Sequence, residues 1–170
     1  MVVFRRNKLR NVNKIIAFGA ISLSFASSAA FSADATGNAS AQIQTAVSVV
    51  ENTAMNFGST AVDASGGTVS MTSAGVVSGP GGYTFSGSPA AGAFTVTADA
   101  STAVTISFTD GTLTGPGTAM ALNNFTHNAG GTPTTGVGGS LAFAVGGDMV
   151  VNATQTSGAY TGTYTVTVNY

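Results

Sequence analysis

Across its 170 residues only 6 % are charged, against roughly 25 % in an ordinary globular protein, while 44 % are apolar and 23 are glycine. All five cations (Arg5, Arg6, Lys8, Arg10, Lys14) precede Ile15, and all six acids (Asp34, Glu51, Asp63, Asp99, Asp110, Asp148) follow it. A body without Lys or Arg cannot neutralise phosphate, which excludes nucleic acid as a partner, and the apolar content with small net charge excludes charge-driven disorder.

The chain opens on a basic segment, Arg5 to Lys14, followed by the apolar run Ile15 to Phe25 and small residues from Ala26 to Ala30. That order predicts a secretory signal peptide over residues 1–33, with cleavage between 30 and 35. The apolar core of about a dozen residues is shorter than the ~20 that span a bilayer. An exported protein at the cell surface, outside the cell or in the periplasm is the expectation. Once the address is removed, the body keeps its acids and has no side-chain cation. It also has no cysteine, so no disulfide supports it outside the cytoplasm.

Residues 34–46 read as an N-terminal extension or as the start of a first strand over 39–50. From there to the end, period-2 alternation recurs without any helical periodicity. It appears at Val47-Ser48-Val49, Phe94 to Ala98, Val104 to Phe108 and Leu141 to Val145. In the last run Tyr160, Tyr164, Val166, Val168 and Tyr170 share one face, with Thr161, Thr163, Thr165, Thr167 and Asn169 opposite; branched threonine suits a wet strand face. Turn signals stand at Ser65-Gly66-Gly67, Gly79 to Gly82, Asp110-Gly111, Gly115-Pro116-Gly117, Gly130-Gly131 and Gly146-Gly147-Asp148. Residues 127–138 read as a long surface loop. The pattern predicts an all-β fold, an antiparallel immunoglobulin-like β-sandwich of eight or nine short strands in a single domain over residues 47–170.

Catalysis has little to stand on. The one histidine, His127, reads as an exposed loop residue, no G-x-S-x-G elbow accompanies it, and the acids are scattered one per turn. No cofactor, metal or small-molecule substrate is expected, because neither zinc-ligand spacing nor a calcium loop is present; Asp63 and Asp99 are the acids whose meeting depends on the fold. Two other non-catalytic readings remain beside a structural one. Threonine rows would serve a carbohydrate- or surface-binding module, and an alternating strand ending in Tyr170 would serve a small outer-membrane barrel.

Ala46-Val47-Ser48-Val49 leading to Met55-Asn56-Phe57-Gly58 resembles the opening of the bacterial family called domain of unknown function 4402. Gly67 to Met71, Ala93 to Thr97, Val145 to Val151 and the close Gly158 to Tyr170 resemble its later strands. The same ending is similar to chaperone–usher pilins and to spore coat protein U, although the cysteine pair of many pilins is missing. The resemblance implies an incomplete sandwich that self-associates into a polymer by donor-strand exchange, with a periplasmic chaperone that grips Tyr170 and an outer-membrane usher as partners. The donor would lie in residues 34–46, with Ala39, Ala41 and Ile43 as its knobs at the required spacing of two. Thirteen residues reach at most roughly 43 Å, enough to cross a sandwich. Tyr160, Tyr164, Val166, Val168 and Tyr170 would be the last strand's core and assembly face, with Met55 and Phe57 anchoring the first sheet.

Overall fold

The computed structural model describes residues 32–170, so the signal peptide expected at the start lies outside the described residues up to Phe31. Every regular element among the described residues is a strand: β1 (Ser48–Thr53), β2 (Ser59–Ala61), β3 (Gly67–Met71), β4 (Val77–Ser78), β5 (Thr84–Ser86), β6 (Gly92–Thr97), β7 (Thr105–Thr114), β8 (Met120–His127), β9 (Ser140–Val151) and β10 (Thr161–Asn169). All pairings are antiparallel. The main sheet runs β1-β6-β9-β8-β7-β10, with β3 also on β9 and β4 beside β3, while β2 and β5 form a separate ribbon.

The long β9 organises the rest. Ser140–Val145 pair with β6, and Gly147–Val151 pair with β3 along the same edge. The change of partner falls at Gly146. A Cβ there would run into the carbonyl oxygen of Met71, and one on Gly147 would sit 2.8 Å from the Phe125 ring. Gly146-Gly147-Asp148 is therefore strand interior and not the expected turn, its glycines required by close packing. The same correction applies to Asp110-Gly111, which lies inside β7. Gly111 meets the Thr163 carbonyl where the β7–β10 register shifts between Thr163 and Thr165, so glycine here marks a bulge.

One face of β9 carries Phe143, Val145, Met149 and Val151 into the core. Phe94, Val96, Phe143, Val145 and Val168 form one apolar cluster, and Phe57, Val69, Met71, Met120, Leu122, Met149 and Val151 form another; Met55 and Phe125 pack against both. Rings join the layers. Phe94 of β6 stacks on Phe143 at 5.6 Å and meets Tyr164 of β10 edge-on at 6.2 Å, and Tyr164 stacks on Phe125 at 4.6 Å. Since β6 and β10 stand near opposite ends of the strand order, those contacts require the sheet to fold over on itself, which makes the sandwich.

Several expectations change in detail. Residues 32–47 carry no strand, so the first strand begins at Ser48 and not at 39. β7, β8, β9 and β10 run 10, 8, 12 and 9 residues, longer than the expected short strands. His127 ends β8 half-buried, its ring 6.0 Å from Phe108 and 6.1 Å from Phe143, and its Nδ1 accepts the Ala129 N–H at 3.2 Å. It is not an exposed loop residue, because two aromatic neighbours pack against it. The segment after it is no free surface loop either. Thr134 bridges to Ala103, and Thr135, only 3 % exposed, donates its hydroxyl to the Asp99 carbonyl at 2.5 Å.

Candidate assembly site

The two ends of the strand order, β1 and β10, approach each other without a ladder between them. Each therefore leaves one edge of main-chain donors and acceptors unpaired, which is unfavourable in water and open to an added strand. β1 is exposed along all six residues, with Val50 60 % and Val49 37 % exposed. Pairing with β6 sets Val49 opposite Val96 and Glu51 opposite Phe94. Across the seam, β10 turns Tyr164, Val166 and Val168 toward the core, as the alternation predicts. Its threonines are all exposed and pair with a second polar row, Thr161 with Thr114, Thr163 with Thr112, Thr165 with Thr109 and Thr167 with Ser107.

The seam widens at one end into a cleft of about 680 Å³ whose apolar wall includes Met55, Phe57, Leu113, Leu122, Tyr160 and Tyr164. Its near side is the segment after β1. Asn56 exchanges both main-chain bonds with Ala90 at 2.8 Å, and its side chain accepts the Gly58 N–H at 2.8 Å. Gly58, at φ +74°, makes the bend that turns Phe57 inward. The far side is the approach to β10. Tyr160 precedes the strand, half-buried, and its hydroxyl donates to the Thr156 carbonyl at 2.7 Å while accepting from Gln155 at 2.7 Å and from the Gly117 N–H at 2.9 Å. No charged residue lines the cleft. At its floor the Tyr164 hydroxyl is buried without a hydrogen-bond partner; burial, with Glu51 adding to it, pushes that phenol up to about 12.

The seam narrows at the other end. The Thr45 N–H donates to Asp99 Oδ1 at 2.9 Å, and the Tyr170 hydroxyl donates to the Thr45 carbonyl at 2.5 Å while accepting the Asp99 N–H at 3.0 Å. Tyr170 thus lies past β10 and is 41 % exposed, a clamp more than a core residue. The Thr45 hydroxyl and amide hold the Asp99 carboxyl below its usual value.

The three expected knobs, Ala39, Ala41 and Ile43, are all exposed, Ile43 at 94 %. Asp63 and Asp99 do not share a site, since Asp63 accepts the Ser65 N–H at 2.9 Å while Asp99 engages Thr45. Among the described residues no three His, Cys, Asp or Glu side chains gather as a metal site would require. Thr45 is the residue that sequence reading missed, and Asp99, singled out only beside Asp63, meets it from 54 positions away with no local signal joining the two.

The family described as Domain of unknown function (DUF4402) matches residues 47–170, from the residue before β1 to Tyr170. No curated protein and no solved structure matches the chain.

Proposed function

The chain belongs to the DUF4402 family, and on that premise we propose that it is an exported structural subunit which self-associates head to tail into a surface filament or coat, with no catalytic role. The observation that carries this reading is the unpaired β1–β10 seam opening on an uncharged cleft with one apolar wall. An extended segment laid along the seam would satisfy two open edges at once and cover the half-buried Met55 and Tyr160. Residues 35–44 are uncharged, as is the cleft, and they present Ile43 unburied. Insertion of that segment into a second copy is heterologous and does not close, so it yields a fibre. A periplasmic chaperone and an outer-membrane usher are the partners such a pathway would use. The faces of the sheet support an aqueous sandwich over a bilayer barrel. On β10 the apolar side chains point into the core cluster and the threonines outward, the reverse of a lipid-facing strand.

The absence of cysteine makes the test clean. The mature protein carrying Ile43→Cys is mixed with one carrying Met55→Cys and oxidised, and a mixed dimer on a non-reducing gel is the expected result. Monomer under all conditions, with an intact melting transition, would overturn the reading. Ile43→Asp in the otherwise native chain should reduce oligomer yield at least tenfold, because a charge would be set against the apolar wall of a cleft that holds no cation.

A further inference from the structure

We propose that Asp99 and Tyr170 form a latch on Thr45, which pins the root of the N-terminal segment and shuts one end of the seam, so that a strand can enter only from the Met55–Tyr160 end. Neither main-chain group of Thr45 takes part in a ladder. Instead its N–H is held by the Asp99 carboxylate, its carbonyl by the Tyr170 hydroxyl, and Tyr170 is tied back to the Asp99 amide. The three residues come from before β1, from the link between β6 and β7, and from beyond β10. The triangle of bonds therefore spans the very gap that no ladder closes.

The latch rests on a fixed base. Thr135 holds the Asp99 carbonyl from behind, and its own N–H donates to Thr102 at 3.0 Å. Upstream of Thr45 the segment is unheld, with residues 41–46 exposed throughout. Among residues 41–46, Thr45 is thus the point at which side-chain hydrogen bonds tie the chain to the sandwich.

The charges around it are few. His127 lies across a cavity of about 370 Å³ from Tyr170, and no Lys or Arg follows Lys14, so the Asp99 carboxylate has only the Thr45 amide and hydroxyl to stabilise it. A carboxyl held low contributes above its ordinary range and is lost as pH falls through its depressed value. The latch therefore holds at neutral pH and is lost only in acid, as pH falls below the ordinary aspartate range.

That the seam receives a neighbour's strand rests on the function proposed above, whereas the latch itself does not. Hydrogen exchange followed by NMR on the mature monomer reads the latch directly. Asp99→Ala should speed exchange of the Thr45 amide roughly tenfold, with Val96 and Val145 unchanged, and Tyr170→Phe should speed it less. Both variants should assemble several-fold faster, since the seam would then admit a strand along its whole length. A Thr45 amide that exchanges in the native chain as in an unfolded peptide, or that neither substitution affects, would overturn the latch. Release of Thr45 with unchanged assembly rates overturns the gate at the seam. Release of Thr45 in a protein that never assembles supports the latch and overturns the filament instead.

Discussion

Tyr164 is placed at a cost. Its ring bridges the two layers between Phe94 and Phe125, yet its hydroxyl is buried unpaired, and burial lifts its pKa to about 12. A phenol whose folded pKa is raised contributes stability that is fully present below the unfolded value near 10 and lost as pH rises toward 12. Alkaline unfolding is expected in that window by circular dichroism, together with phenolate absorbance. Tyr164→Phe should move the transition to higher pH and stabilise the monomer near neutrality by about 1 kcal/mol, since it removes an unsatisfied polar atom without opening a cavity. Phe143 differs in having nothing polar to lose. It is 4 % exposed, stacked on Phe94 and edge-on to His127. Phe143→Ala should cost about 3–5 kcal/mol in chemical denaturation.

At the scale of elements, glycine separates what the sequence shows from what it conceals. Alternation in Val166 and Val168, in Phe94 and Val96, and in Phe143 and Val145 identifies core faces correctly, because each strand keeps a single phase over those residues. β8 escapes that test. Met120 and Leu122 point inward, then a bulge between Asn123 and Thr126, with Asn124 at φ +51°, shifts the phase so that Phe125 and His127 follow. Gly111, Gly146 and Gly147 look like turn residues because a close backbone approach from a distant strand demands the same residue as a bend, and only the fold tells the two apart. The seam is equally hidden, being defined by which strands fail to pair. Gly146→Ala should lower the melting temperature by several degrees through clash with Met71, whereas Gly131→Ala, which would meet no neighbour within 4 Å, should leave it unchanged within about a degree.

For the whole molecule, charge sets the conditions of association. Beyond Lys14 the chain has acids and no Lys or Arg to pair with them, so copies repel through a field of one sign. Association should weaken as pH rises through the carboxylate range and recover at neutral pH with added salt, which screens repulsion. Sedimentation across a pH and salt series measures both. A latch opening would respond to pH alone, so the salt arm separates the two effects. Trypsin should find no site beyond Lys14, and a digest followed by mass spectrometry checks this.

β1 meets β6 through a ladder running from Ser48 opposite Thr97 to Thr53 opposite Ala93, and its root is held at Thr45. In a fibre whose subunits are tethered by the segment before Thr45, tension would enter the domain along the axis of β1. The hydrogen bonds of an antiparallel pair lie across that axis, so they would bear the load in concert and β1 would have to slide along β6 before any of them parted. Tension applied there would be resisted in shear and not by peeling, and this cysteine-free sandwich would gain its tensile strength from the direction in which it is pulled.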